Sequence, residues 1–230
     1  MNSSRSKTLS AAAVWAVVSA VAPLTVSAQL LYTNGVPDNQ NGLIVNNGFT
    51  SANDFSVATP TSLTSFDWYF LRRGSAGPST IFGNFSWEIL ANSAGEPSGS
   101  ALATGSVSNA SASKTSFACC IGQGHLYDTY LFSGISFNSL SLGPGTYWLG
   151  LGGFSETSHS PYTGYWASSV GHSGNEAWEF HDGSWFTFQM EGSYNIYGTA
   201  QNAVPEPGSI ALLATGLIVL VPAFRRKLKI

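Results

Sequence analysis

Acidic and histidine side chains concentrate in one stretch of the chain, between positions 156 and 191. This stretch holds His159, His172, Glu176, Glu179, His181 and Asp182. The three carboxylates could supply the acid–base pair that glycoside hydrolysis requires, or oxygen ligands for calcium. The histidines lack a zinc-binding spacing such as His-Glu-x-x-His, and no calcium loop is recognisable. Because no motif fixes a geometry, we favour solvated loop residues, and we predict no catalytic residue, no cofactor and no metal site.

Aromatic residues in the same region suggest a second kind of chemistry, the stacking of sugar rings. The candidates for such a platform are Trp148, Tyr162, Tyr165, Trp166, Trp178 and Trp185. Trp148 and Trp185 alternate with apolar neighbours, which places them on the opposite face of their strands from the more continuous apolar sets. For each tryptophan taken singly, packing in the core or under a loop is the favoured alternative.

Nucleophilic catalysis has no supporting motif. The chain lacks a Gly-x-Ser-x-Gly elbow, and its abundant serines make chance pairing with histidine uninformative. Its only cysteines, Cys119 and Cys120, are adjacent and could form a strained vicinal disulfide, pair between chains or remain buried thiols. We therefore predict that the protein is not an enzyme.

Charge is distributed unevenly along the 230 residues. Residues 29–204 contain only three basic residues, Arg72, Arg73 and Lys114, against 11 acidic ones, which gives a formal charge of −8. The other six cations lie in the terminal segments, so the whole-chain value is only −3. A surface of this sign repels nucleic acid, which excludes that class of partner.

The sequence predicts that the candidate site residues are positioned by β-strands. Apolar residues alternate with polar ones in the segments Phe66–Phe70, Phe85–Leu90, Ile135–Asn138, Tyr147–Leu151, Trp185–Glu191 and Tyr194–Gly198. In the fifth segment the predicted apolar face consists of Phe186, Phe188 and Met190. Glycine- and proline-rich turns separate the segments, and none carries a helical repeat. The pattern predicts one all-β domain over residues 29–204, an antiparallel β-sandwich of jelly-roll type.

The N-terminal segment has the layout of a secretory signal peptide. Arg5 and Lys7 precede an apolar run, and small residues end it at Val26-Ser27-Ala28. We expect cleavage between Ala28 and Gln29 to remove residues 1–28. A retained N-terminal anchor is the alternative.

The C-terminal segment, residues 205–230, has three ordered parts. The rigid element Pro205-Glu206-Pro207 is followed by an uncharged run over 210–224 that is long enough for a short membrane helix. Four cations, Arg225, Arg226, Lys227 and Lys229, close the chain and favour a cytoplasmic end. This arrangement resembles the PEP-CTERM sorting signal of Gram-negative bacteria. The resemblance implies cleavage at or near the Pro-Glu-Pro motif by an exosortase, a membrane peptidase, so that the inner membrane holds the protein only transiently. A linker before a permanent anchor is the alternative.

The domain between these signals also resembles a known class. The segments Leu30–Gly35, Asp54–Val57, Trp87–Leu90 and Leu142–Leu149 occur in an order similar to that of "choice-of-anchor" bacterial surface domains. The two resemblances imply an exported protein of the cell surface or extracellular matrix, with a structural or adhesive role associated with exopolysaccharide and biofilm. A carbohydrate-binding module that uses the Trp/Tyr set is the alternative, and a polysaccharide hydrolase is a more remote one.

Overall fold

The computed structural model describes residues 27–45, 48–73, 84–107, 112–119, 127–153, 164–170 and 177–201. These residues form thirteen strands and, within those ranges, no helix. In chain order the strands are Gln29–Thr33 (β1), Pro37–Ile44 (β2), Thr50–Val57 (β3), Thr61–Arg73 (β4), Phe85–Ser93 (β5), Glu96–Val107 (β6), Ala112–Cys119 (β7), Tyr127–Leu142 (β8), Gly145–Gly152 (β9), Gly164–Ser169 (β10), Ala177–His181 (β11), Ser184–Phe188 (β12) and Tyr194–Ala200 (β13).

The strands form two antiparallel sheets. One of them, which we call the second sheet, has the strand order β12-β11-β3-β9-β5-β6. The first sheet is built around β4, which pairs along its length with β8, and β8 pairs in turn with β7. On its other side, β4 pairs first with β13 and then with β10, which carry β1 and β2 respectively. Successive strands from β2 to β5 alternate between the sheets, so the two layers are built together along the chain.

One apolar core joins the inner faces of the two sheets, so the fold is a β-sandwich. Trp68 lies at its centre, with the Phe132 ring stacked at a centroid distance of 5.1 Å and Phe85 of the opposite sheet edge-on at 4.8 Å. Burying such a side chain fully contributes about 1.5–3 kcal/mol relative to leaving it exposed. Ring-to-ring contact across the sandwich therefore stabilises the packing of one sheet on the other.

The predicted period-two alternation is confirmed in β4, β5, β8 and β9, where alternate side chains are buried in the core. The buried members are Phe66, Trp68 and Phe70 in β4, Phe85, Trp87 and Ile89 in β5, Ile135 and Phe137 in β8, and Leu149 and Leu151 in β9. The polar residues between them lie on the outer faces.

The prediction for the segment 185–191 is wrong. Its strand, β12, ends at Phe188, so Met190 lies outside it, and the predicted apolar face is exposed, with Phe186 at 54% and Phe188 at 36%. The cause is position, because β12 is an edge strand whose only neighbour among the described strands is β11. The alternating residue Trp185 lies on the outer face, as predicted, where it is partly buried against apolar residues.

Candidate functional site

The tryptophan and tyrosine residues proposed as a platform do not all lie on one surface. Trp148, Trp178 and Trp185 belong to the outer face of the second sheet. Trp166 lies in the core between the sheets, and Tyr165 lies on the outer face of the first sheet. Tyr162 falls outside the described residues. Strand alternation explains the split, because Tyr165 and Trp166 are consecutive in β10 and must face opposite ways.

Trp166 cannot bind a sugar, which corrects its assignment to the platform. Its side chain is 0% exposed, and its indole N–H donates a hydrogen bond of 2.9 Å to the Ser193 carbonyl. The ring packs edge-on against Trp68 and Tyr194 at 6.2 and 5.5 Å. Gly192 passes so close that a methyl group on its Cα would stand 2.3 Å from the indole. Trp166 is therefore a core residue held from every side.

Trp148 also requires correction, although its predicted face is right. The side chain projects from the outer face of the second sheet, yet it is 0% exposed. Its indole N–H donates to the side-chain oxygen of Asn92 at 3.0 Å, and Ala52 and Leu90 pack beside it. Trp148 thus supports the neighbouring aromatic residues and does not itself present a ring to solvent.

Trp178 and Trp185 remain as partly exposed aromatic residues on this face. They pack on the group formed by Ala52, Leu90 and Trp148, and we call these five residues the outer aromatic cluster. Trp185 also contacts the Phe180 ring at a centroid distance of 5.2 Å. Because β11 and β12 form a tight antiparallel hairpin over Ala177–Phe188, the two indoles are fixed to a rigid scaffold.

A shallow groove lies beside this cluster on the same sheet face. It has a volume of about 120 Å³, and its lining side chains and backbone come from Thr50, Ser86, Trp87, Glu88, Thr104, Gly150 and Gly152. The strand register puts Trp178 opposite Ala52, Ala52 opposite Gly150, and Gly150 opposite Glu88. The cluster and the groove are therefore neighbours in one row across the sheet, separated only by small side chains.

Glycine residues make the floor of the groove. A methyl group on Gly150 would stand 2.8 Å from Cγ of Glu88, so the Glu88 side chain lies across β9 where a larger residue would displace it. Two residues further on, Gly152 accepts a hydrogen bond of 3.0 Å from the Ser86 hydroxyl. We call this feature, with Glu88 at its side, the Glu88 groove.

Electrostatics distinguish Glu88 from the other carboxylates. Burial raises the pKa of its carboxyl, and no hydrogen bond or ion pair to it is found among the described residues. By contrast, the carboxylate of Asp128 accepts a hydrogen bond of 2.7 Å from the Lys114 ammonium. That hydrogen bond raises the pKa of Lys114. Glu88 is thus a partly buried acid with no partner among the described residues.

The carboxylates singled out from the sequence have other roles. Glu179 was expected in a solvated loop, but it lies in β11 and is only 4% exposed. Its carboxylate accepts hydrogen bonds from the Ile44 amide at 2.8 Å and the Ser51 hydroxyl at 3.4 Å. Burial raises its pKa, and these two bonds oppose the rise without cancelling it. Because Ile44 belongs to the first sheet, Glu179 ties the sheets together and is not free for acid–base chemistry.

Asp182 lies in the exposed turn between β11 and β12, with a φ of 51°. Its carboxylate is 3.2 Å from Nδ1 of His181, whose ring stacks on Phe49 at 4.1 Å. Glu176, His159 and His172 fall outside the described residues. Within the described ranges, no group of three or more His, Cys, Asp or Glu side chains is placed to hold a metal ion.

Sequence reasoning missed the Glu88 groove, although two signals for it were present. Glu88 alternates with the core residues Trp87 and Ile89, which predicts an outward carboxylate. Gly150 and Gly152 flank the core residue Leu151, which predicts a strand with no outward side chains at two successive positions. What the sequence could not show is that β9 pairs with β5 in the register that brings these positions together.

The processing signals lie at the margins of the described structure. Ala28 is exposed and Gln29 begins β1, whereas Pro205, Glu206, Pro207 and the terminal cations fall outside the described residues. Cys119 ends β7, and Cys120 falls outside. The part of the chain that the structure describes contains no helix long and apolar enough to cross a membrane.

No protein-family model matches the sequence, and no curated protein matches it either.

Proposed function

We propose that the protein is an exported, non-catalytic adhesive component of the cell surface or extracellular matrix, and that it binds polysaccharide through the outer face of its second sheet. One observation carries the binding proposal: the partly exposed indoles of Trp178 and Trp185 lie beside a polar groove on a rigid sheet. Apolar rings with a few fixed polar groups are the general composition of small-molecule sites.

The chemistry of the two features is complementary to a sugar. Indole faces pack against the apolar C–H face of a pyranose ring, and partly exposed aromatic clusters commonly mark binding surfaces. Hydroxyls of Thr50, Ser86 and Thr104 in the groove can exchange hydrogen bonds with sugar hydroxyls. Glu179 is buried and its carboxylate accepts a hydrogen bond from a backbone amide, so it is not free to act as one of a pair of hydrolytic carboxylates. Binding without turnover is the function that this geometry supports best.

The sorting proposal rests on the terminal segments. Residues 1–28 form a signal peptide, and residues 205–230 form a PEP-CTERM signal that an exosortase recognises at Pro205-Glu206-Pro207. All thirteen described strands lie between Gln29 and Ala200, inside these boundaries. The alternation of strands between the two sheets supports the jelly-roll assignment, an architecture shared by many lectin domains.

Binding to a glycan array tests the adhesive proposal with the full-length chain in detergent. We expect binding to at least one polysaccharide, and a loss of about tenfold or more in Trp178→Ala and Trp185→Ala. Tyr165→Ala is the matched control, because Tyr165 is a partly exposed aromatic residue on the opposite side of the sandwich. Absence of glycan binding, or an equal loss in the control, would refute the binding role.

The mass of the protein recovered outside the cell tests the sorting proposal. We expect an N-terminus at Gln29 and a C-terminus at or near Pro205–Pro207. Exported protein that retains Arg225 and Lys229 in cells with an active exosortase would contradict it.

A further inference from the structure

Glu88 has no counter-charge among the residues that the structure describes. Residues 29–204 contain only three lysine or arginine residues, and all three belong to strands of the first sheet: Arg72 and Arg73 in β4, and Lys114 in β7. The Arg72 side chain is buried, and Lys114 is bonded to Asp128. The outer face of the second sheet lies beyond the core, and stacked sheets are about 10 Å apart. Neither Arg72 nor Lys114 is therefore placed to neutralise a carboxylate on that face.

A partly buried carboxylate with no partner in the described structure attracts a cation from outside. Removing water from a charge is costly, and a charged donor that enters the groove would recover that cost. The formal charge of −8 on residues 29–204 favours the approach of cations and opposes that of anions over the whole domain. The groove therefore selects by charge as well as by shape.

The composition of the groove favours an ammonium over a metal ion. Calcium takes about six to eight oxygen ligands, commonly with several carboxylates. The lining of the Glu88 groove contributes one carboxylate and the hydroxyls of Thr50, Ser86 and Thr104. An ammonium group has three N–H donors, which one carboxylate and neighbouring hydroxyls can accept. A space of about 120 Å³ suits such a group at the edge of a ring, but not a whole oligosaccharide.

The aromatic neighbour indicates what carries the ammonium. Trp178 and Gly150 are two strands apart in register through Ala52, which places them about 10 Å apart at the usual strand spacing. A short run of sugar rings spans that distance, with one ring on the indole and the amine of another in the groove. Ala52 and Gly150, which lie between the Trp178 indole and the groove, have small or no side chains. The sheet surface there is therefore low enough for a chain of sugar rings to lie across it.

We propose that the Glu88 groove binds the protonated amine of an amino-sugar polysaccharide, a hexosamine polymer with free amino groups, whose rings pack on Trp178. This inference rests on the proposed glycan-binding function and names its ligand class. Polymers rich in uronic acids are excluded from the site by charge, and N-acetylated polymers lack the cation that Glu88 requires.

Calorimetric titration of the full-length chain in detergent with two hexasaccharides tests the inference. One is the hexamer of β-1,4-linked glucosamine, and the other is its fully N-acetylated counterpart. We expect the free-amine hexamer to bind at least tenfold more tightly. Glu88→Gln, which keeps the shape of the side chain, is expected to abolish that preference. Glu96→Gln is the matched control, because Glu96 is an exposed carboxylate on β6 of the same sheet, and we expect it to retain the preference.

The outcomes separate this inference from the function on which it rests. If both hexamers bind equally and Trp178→Ala weakens both, the glycan-binding function stands and the amine selectivity is overturned. If neither hexamer binds but another polysaccharide on the array does, the ligand class is likewise wrong. Equal losses in Glu88→Gln and Glu96→Gln would reduce the effect to the general charge of the domain. Spermidine binding as tightly as the free-amine hexamer, with no effect of Trp178→Ala, would make the groove a simple cation site.

Discussion

Replacement of Gly192 by alanine tests the packing around Trp166 most directly. In the structure the added methyl group would stand 2.3–2.5 Å from three atoms of the indole, whereas ordinary contacts are 3.4–4 Å. Relief requires a shift of about 1 Å in a side chain that is 0% exposed. Overpacking of this kind costs about 1–3 kcal/mol. Breaking the buried hydrogen bond from the indole to Ser193 costs about 1–3 kcal/mol more.

We therefore expect Gly192→Ala to lower the free energy of unfolding by about 3 kcal/mol or more, out of a typical total of about 5–15 kcal/mol. For a domain of this size, that corresponds to a fall in Tm of about 6–12 °C. Urea denaturation followed by tryptophan fluorescence measures the first quantity, and calorimetry measures the second.

Two further variants make the test specific. Gly99→Ala is the control, since no atom lies within 4 Å of its added methyl group, and we expect a change within about 0.5 kcal/mol. In a Trp166→Phe background the clash is relieved, so Gly192→Ala should cost at least about 1 kcal/mol less than in the native chain. A Gly192→Ala variant as stable as Gly99→Ala would refute the burial of Trp166, and would return that residue to the list of candidate ligand contacts.

Three other side chains give separate expectations. Burial raises the pKa of Glu179, so its contribution to stability is greatest below its unfolded pKa and is lost as pH rises through the folded pKa. Glu179→Gln, which can still accept from the Ile44 amide, should therefore reduce the fall in unfolding free energy between about pH 4 and pH 8; an unchanged slope would contradict this. Asp67 accepts hydrogen bonds from the Gly134 amide at 2.8 Å and from a tyrosine hydroxyl at 2.9 Å, and Asp67→Ala should cost about 2 kcal/mol by urea denaturation. The Lys114 ammonium is exposed although its partner Asp128 is largely buried, so solvent screens the pair; Lys114→Ala should lower stability less than Asp67→Ala by the same assay, and an equal or larger loss would count against that assessment.

The sequence predicts the strands best where local alternation and tertiary surroundings agree. In β4, Phe66, Trp68 and Phe70 face the core because the strand is central to its sheet and a second sheet covers it. In β12 the same alternation fails for Phe186 and Phe188, because burial there depends on the place of the strand in the sheet. That place is set by pairings between residues distant in sequence, which a local pattern does not contain.

The candidate site shows the same limit at the level of single residues. Trp178 and Trp185 were identified by residue type, but Trp148 beside them is buried, and Glu179 is held by an amide 135 residues away. Glu88 was not identified, because a lone outward glutamate in a strand usually faces solvent. Its partial burial arises from the pairing of β5 with β9, because Gly150 has no side chain and leaves room for the Glu88 side chain to pack across β9.

The Glu88 groove combines two choices that each lower stability. Glycine in the interior of a strand costs about 0.5–1 kcal/mol relative to alanine, and Gly150 lies in the central strand β9. The ionised form of Glu88 is disfavoured by burial, as its raised pKa indicates. Local choices that oppose stability are expected at functional sites, where they serve binding. Glu88→Gln should therefore raise the unfolding free energy at neutral pH while it weakens binding of the free-amine hexamer. A variant that loses stability and retains binding would show instead that Glu88 serves the fold.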